Sequence, residues 1–172
     1  MIKKKKILIA TGGTGGHVFP AYSLASHLVK NNYDVKLATD NRGFNFIKDY
    51  KNIRTIRIFS SPLKKKNFLK FISSMTIIFF SIIRSLIFLL FNRPAVVLGM
   101  GGYSSFPMCI AAAILKIKFV IYENNLIIGK ANKFLLPLAR KIFVSYKETE
   151  NIPKKYNYKI FEIGNIIREE II

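Results

Sequence analysis

A chain of 172 residues, 51% of them hydrophobic, is long enough for one domain with its own core and too apolar to stay disordered. Its lone cysteine, Cys109, excludes an intrachain disulfide scaffold and reads as a small core residue in a reducing compartment. A net charge of +19, from 28 basic and 9 acidic residues, points to an acidic partner such as phosphate, nucleic acid or an anionic membrane, with part of the lysine excess attributable to drift in an AT-rich genome.

Lys3, Lys4, Lys5 and Lys6 precede only four apolar residues before the glycines begin, too few for the apolar core of a signal peptide, so the chain is expected to start in the cytoplasm. Those four, Ile7-Leu8-Ile9-Ala10, predict a strand buried on both faces. It runs into Thr11-Gly12-Gly13-Thr14-Gly15-Gly16-His17. Pro20 suits the first turn of a helix, continued by Ala21, Leu24, Ala25, Leu28 and Val29 and stopped by Asn31-Asn32. Residues 35–38 and 53–58 predict two further strands, with a short helix over 44–50 between them.

The segment Phe68–Phe91 is almost wholly apolar, with Lys70 and Arg84 its only charges, and is flanked by Lys64, Lys65 and Lys66 on one side and Arg93 on the other. Three readings are open. Its length suffices to span a bilayer, but Arg84 within the span would cost about 2.5–3.5 kcal/mol, and the chain must return to the sheet it left. The others are an ordinary buried crossover helix and a helix lying in the membrane interface. The basic flanks favour the interfacial helix, since each basic group near an anionic leaflet adds about 1 kcal/mol.

The opening unit then recurs. Residues 95–98 predict a strand that enters Gly99-Met100-Gly101-Gly102-Tyr103-Ser104-Ser105, and a helix follows Pro107 over 108–115. Residues 119–122 predict a strand ending in Glu123-Asn124-Asn125, 130–138 a helix, 142–145 a strand, and 160–163 the last strand before Gly164-Asn165. This alternation implies the α/β class, a doubly wound, mostly parallel, Rossmann-like sheet with right-handed crossovers.

In such sheets ligands bind beyond the carboxyl ends of the strands. Gly12 to His17 brings amide N–H groups to a helix N-terminus and reads as a phosphate or diphosphate cradle. It departs from the dinucleotide fingerprint, because the third glycine falls on Val18, and from the P-loop, because no lysine follows. The second glycine loop serves either as the opposite wall of the same crevice or in close helix-to-sheet packing. Glu123-Asn124-Asn125 offers acceptor and amide hydrogen bonds to a hydroxylated ligand. His27 reads as a surface or packing residue. His17, at a helix N-terminus whose dipole favours the neutral imidazole, is a candidate general base or a structural support of the loop. No recognition helix, RNA motif or zinc pattern accompanies the charge, so nucleic acid is not the expected partner.

Together these segments resemble the N-terminal half of the bacterial undecaprenyl-diphospho-muramoylpentapeptide N-acetylglucosaminyltransferases, the lipid II-forming family within glycosyltransferase family 28, with the GT-B fold. Gly12-Gly13-Thr14-Gly15-Gly16-His17-Val18-Phe19-Pro20-Ala21 corresponds to its first glycine motif and Val97-Leu98-Gly99-Met100-Gly101-Gly102-Tyr103-Ser104-Ser105 to its second. Gly129-Lys130-Ala131-Asn132-Lys133 and Gly164-Asn165-Ile166-Ile167-Arg168 follow in the family's order and spacing. The resemblance implies transfer of N-acetylglucosamine from UDP-N-acetylglucosamine to the 4-hydroxyl of a lipid-linked muramoylpentapeptide diphosphate, with inversion, and calls for no metal and no cofactor. It assigns donor contacts to Thr14, Gly15, Gly16, Asn125 and Arg168. The glycine loops, with Gly101 and Gly102, are also the place proposed for the acceptor diphosphate, so the resemblance leaves their assignment between the two substrates open. His17, Tyr103 and Glu123 line the same crevice.

Tyr122-Glu123-Asn124-Asn125 stands where the family has His-Glu-Gln-Asn, and Ile166 replaces a proline at the interdomain hinge. The expected organisation is an acceptor-binding, membrane-associating domain over 1–163 and the start of an interdomain linker over 164–172. The second α/β domain, which holds most of the UDP-sugar site, is expected outside this chain. The expected location is peripheral, on the cytoplasmic face of the inner membrane, through Phe68–Phe91 and its basic flanks. The alternatives are a non-catalytic anchoring subunit that recruits a separate transferase subunit, and an inactive truncated product.

Overall fold

The computed structural model of the chain describes residues 4–50, 52–60 and 67–167. Its elements alternate along the chain: β1 (Lys6–Ala10), α1 (Gly15–Lys30), β2 (Asp34–Thr39), α2 (Asn41–Ile47), β3 (Arg54–Arg57), α3 (Phe68–Phe91), β4 (Val96–Gly99), α4 (Gly102–Ile114), β5 (Phe119–Glu123), α5 (Lys130–Leu135), β6 (Lys141–Val144), a 3₁₀ segment (Lys154–Lys159) and β7 (Ile160–Glu162). The seven strands form one sheet in the order β3-β2-β1-β4-β5-β6-β7, and every pair is parallel. Order reverses beside β1, where Ile9 pairs with Leu37 of β2 on one side and Leu98 of β4 on the other.

Short strands rich in Ile, Leu and Val, with both faces covered, account for the parallel arrangement. Leu8, Ala10 and Val97 face one layer, with Leu89 of α3 and Met108, Cys109, Ala111 and Ala112 of α4. Ile9, Leu37 and Leu98 face the other, with Val18, Ala21 and Ala25 of α1. Cys109 fills the space left by the missing side chain of Gly99, whose Cβ would lie 2.7 Å from its Sγ, and burial pushes the thiol pKa up to about 12. It is the inert core residue that the sequence suggests.

Two helices begin earlier than expected. α1 starts at Gly15 and contains Pro20, and α4 starts at Gly102 and contains Pro107. An internal proline removes the donor to the carbonyl four residues back. In α1 that carbonyl belongs to Gly16, and it accepts instead from Asn124 Nδ2 at 3.0 Å. A side chain at the end of β5 thus allows the first glycine loop to be helical as far back as Gly15. α2 lies three residues upstream of its expected position because Asp40 caps it, accepting from the Gly43 amide at 2.7 Å.

α3 coincides with the apolar segment, but its burial is inverted. The residues turned inward are Ser74, Ser81, Ser85 and Leu89, while Phe68, Leu69, Phe79, Phe80, Ile87, Leu90 and Phe91 lie exposed. Ser74 Oγ donates to the Lys70 carbonyl and Ser81 Oγ to that of Phe59, so much of the buried polarity is satisfied. The reading of α3 as an ordinary buried crossover is therefore wrong: it is a crossover from β3 to β4 packed on α4, with its apolar side outward. Arg84 is exposed, its guanidinium 4.9 Å from the Phe59 ring centroid. The basic flank Lys64, Lys65 and Lys66 lies outside the described residues.

Candidate functional site

The strand ends beside the order reversal carry the unusual residues, and four of these segments meet in a cleft of about 180 Å³. His17 enters from the first turn of α1, Gly101, Gly102 and Tyr103 from the start of α4, Glu123 and Asn125 from the end of β5, and Gly129, Lys130, Ala131 and Asn132 from the start of α5. Thr14, Gly15 and Gly16 stand outside this lining, and Arg168 is outside the described residues.

The two glycine loops pack on each other. Gly101 and Gly102 have φ of +81° and +74°, and a Cβ on Gly102 would lie 2.7 Å from the Gly12 carbonyl oxygen. A Cβ on Gly101 would lie 3.0 Å from His17 Cε1. The second loop is thus glycine both for its backbone conformation and because the imidazole rests against it, so its packing role and its place in the cleft wall coexist.

The first loop is only partly free to receive an anion. The Gly13 amide donates to Asp40 Oδ1 at 3.2 Å, and the amides of His17 and Val18 return to the Thr14 carbonyl. Among the described residues the amides of Gly15 and Gly16 have no partner, and Thr14 supplies no side-chain cap. Those two N–H groups form the open end of the α1 dipole.

His17 is neutral by environment. Burial lowers its pKa below the usual 6.5, outweighing the Glu123 carboxylate and the Met100 backbone, which raise it. The direction matches the expectation from the helix dipole, but the cause is desolvation. Its Nδ1 is buried without a hydrogen-bond partner.

Glu123, expected as a ligand group, lines the cleft with its carboxylate already engaged inside the chain. It is 1% exposed, and both oxygens are taken. Oε1 accepts from the Asn125 amide and from Asn125 Nδ2 at 3.1 and 2.7 Å, and Oε2 from the Gly129 amide and Asn132 Nδ2 at 2.8 and 3.0 Å. It holds the loop between β5 and α5 in shape rather than reaching outward. Asn132 donates also to the Tyr122 carbonyl and keeps Oδ1 buried and unpaired. Tyr122, in the place of the family's histidine, contacts Ser145 Oγ at 2.6 Å, donates to the Gly164 carbonyl at 3.2 Å and accepts from the Ile166 amide at 3.2 Å.

Asp40, Lys130 and Asn132 escaped the sequence reading as site residues, and Asn124, named there for ligand hydrogen bonds, donates instead to the Gly16 carbonyl. Asn132 and Lys130 lie within a quoted motif, and Asp40 follows a predicted strand, but nothing in the one-dimensional pattern brings Asp40 beside Gly13 or Asn124 beside Gly16. His27 is exposed on α1, where its carbonyl and Nε2 meet Asn31 Nδ2, as expected of a surface residue.

Residues 7–144 match the family described as "Glycosyltransferase family 28 N-terminal domain". The curated UDP-N-acetylglucosamine--N-acetylmuramyl-(pentapeptide) pyrophosphoryl-undecaprenol N-acetylglucosamine transferase of Pelagibacter ubique (strain HTCC1062) is 37% identical over 165 residues, 96% of this chain and 46% of the relative. The protein of the same description from Rickettsia felis is 37% identical over 168 residues, 97% of this chain and 45% of the relative. The chain thus spans about half the length of the curated relatives it matches. Among solved structures, MurG of Acinetobacter baumannii superposes with a TM-score of 0.77 at 24% identity, over 97% of this chain and 47% of that one. The UDP-GlcNAc 2-epimerase of Methanocaldococcus jannaschii gives 0.61 at 18% identity, over 95% and 46%. Both likenesses concern the fold alone.

Proposed function

The chain belongs to glycosyltransferase family 28 through that family's N-terminal domain, and from this premise we propose that it is the acceptor-binding half of an inverting N-acetylglucosaminyltransferase of peptidoglycan synthesis. The donor is UDP-N-acetylglucosamine, and the acceptor is the 4-hydroxyl of undecaprenyl-diphospho-muramoylpentapeptide. Residues 1–163 form the acceptor domain and 164–172 begin the connection to a UDP-sugar domain. The observation that carries this reading is the meeting of His17, the second glycine loop and the Glu123–Asn132 loop in one cleft beside the reversal of strand order.

In that cleft and beside it, where Thr14, Gly15 and Gly16 stand, the chain's groups divide the work. The amides of Gly15 and Gly16, beside Thr14, and the start of α4 at Gly101, Gly102 and Tyr103 face the acceptor diphosphate with two helix N-termini. Asn125 and Arg168 are assigned to the donor. His17 is the general base. With Nδ1 sealed inside, Nε2 is the nitrogen left for the cleft, and the lowered pKa keeps it unprotonated at neutral pH. It takes the proton of the 4-hydroxyl as that oxygen attacks the anomeric carbon and UDP departs with the bonding electrons. Glu123 acts at one remove, by fixing Asn125.

The outward apolar face of α3 is assigned to the membrane. The helix is long enough to cross a bilayer, and an 18-residue window of it has mean hydropathy 2.2, but both its ends lead back into one sheet and Ser74, Ser81 and Ser85 are buried on its inward side, which supports a helix lying in the interface on the cytoplasmic side. The test of the catalytic reading supplies this chain with the C-terminal half of the Rickettsia felis relative. Detergent-solubilised acceptor should be retained by the chain alone, and labelled N-acetylglucosamine should be transferred once both halves are present. Failure of both retention and transfer overturns the reading.

A further inference from the structure

One buried carboxylate gathers the ends of four strands. Asp40, directly after β2, is 6% exposed and accepts on the single oxygen Oδ1 both the Gly13 amide, after β1, and the Gly43 amide, at the start of α2, at 3.2 and 2.7 Å. Its Oδ2 accepts from Ser60 Oγ, after β3, at 3.2 Å, and Ser60 Oγ lies 2.9 Å from Ser104 Oγ in the first turn of α4, after β4. The same groups occupy the space behind Gly12, whose Cβ would lie 2.5 Å from Ser104 Oγ and 2.9 Å from Asp40 Oδ1. The charge is held by hydrogen bonds rather than by an ion pair, since Arg42 Nε stands 3.8 Å from Oδ2 on a side chain that is 66% exposed. Burial works to raise the pKa of Asp40, but the Gly43 and Gly13 amides and the hydroxyls of Ser104 and Ser60 outweigh it and hold the group below the usual carboxylate value.

From this convergence we infer that Asp40 is a positioning residue, a clamp that fixes the first glycine loop to the second from behind and sets the spacing of the amides that the cleft presents. It acts through Gly13 and Ser104 and touches no ligand. For what the loops hold, the inference rests on the function proposed above; the clamp itself stands on the hydrogen bonds. Because both amides converge on Oδ1, Asp40→Asn retains the clamp: the amide oxygen accepts both N–H groups, Nδ2 donates to Ser60 Oγ, and the Ser60 hydroxyl turns to Ser104. Asp40→Ala loses it, and Ser104→Ala cuts only the link to the second loop.

The experiment is amide hydrogen exchange by NMR on the full chain, wild type against these three variants. Asp40→Ala should accelerate exchange at Gly13 by about tenfold or more and carry the effect to the first turn of α4, leaving β5 and β6 amides unchanged, with Asp40→Asn close to wild type. Ser104→Ala should loosen the second loop while Gly13 stays protected. Acceleration confined to α2 would reduce Asp40 to a helix cap and overturn the clamp. Uniform acceleration in every strand would do the same. In the two-half assay, Asp40→Ala should raise the acceptor KM about tenfold with kcat and the UDP-sugar KM nearly unchanged, and Asp40→Asn should restore it. Equal loss for both substrates contradicts the inference. A wild type that neither binds nor transfers defeats the proposed function, and exchange alone then decides the clamp.

Discussion

At His17 two influences oppose each other: burial disfavours the charged ring, and the Glu123 carboxylate with the Met100 backbone favours it. Burial wins, and this has a consequence for stability. Below 6.5 the unfolded chain takes up a proton that the folded chain refuses, so this contribution is fully present above 6.5 and is lost as pH falls toward the lowered folded value. The urea midpoint of the wild type should therefore fall between about pH 7 and about pH 5.5, and His17→Gln should remove that share of the slope. Identical slopes would mean that the ring is not buried as described. Part of this was legible in the residues, since a histidine closing a glycine loop at a helix start is conspicuous. What the chain order concealed was the cause, because the surface that buries the ring is Gly101, 84 positions away. Glu123 teaches the same lesson in reverse: a carboxylate at a strand end looks available until the Gly129 amide and Asn132 are seen to fill one of its oxygens.

Among the elements, the strands were readable from short apolar runs, whereas the starts of α1 and α4 were not. Proline is ordinarily a marker of a first turn. Here it sits inside both helices, and in α1 the tolerance comes from Asn124, a donor brought from another strand. α3 is the opposite case, its limits clear from composition and its orientation hidden, because only the packed structure reveals that serines point inward. That inversion fixes which side chains can be removed without harm to the fold. Phe88 is half-buried against the core, whereas Phe79, Ile83 and Ile87 are 59%, 37% and 52% exposed. Changing those three to Ser should leave the thermal midpoint nearly unchanged and abolish flotation of the chain with vesicles containing anionic lipid. Undiminished flotation would remove α3 from the membrane.

On the scale of the whole molecule, the alternation of apolar runs and glycine loops was enough to indicate a doubly wound sheet, and the sheet in turn puts its glycine loops on adjacent strand ends beside the reversal of order. The cleft's detailed lining was less legible, since Gly101 and Gly102 come against His17, and Glu123 beside them, only through packing between segments distant in sequence. Charge is the other whole-molecule property. Two of the 9 acidic residues, Asp40 and Glu123, are turned inward, so the surface is more basic than the composition implies. Attraction to an anionic leaflet through such a surface is screened, the Debye length shrinking from about 8 Å at physiological salt to about 3 Å at 1 M, whereas burial of apolar side chains in the interface is not. Membrane binding should consequently divide into two parts. For the wild type, raising salt to about 1 M should weaken binding to anionic vesicles in stages and leave a residue that salt does not remove. For the Phe79, Ile83 and Ile87 triple variant, the weak binding that survives at low salt should vanish entirely at high salt. Wild-type binding that is indifferent to salt would exclude a part for the basic surface, and complete loss of wild-type binding at high salt would exclude insertion of α3.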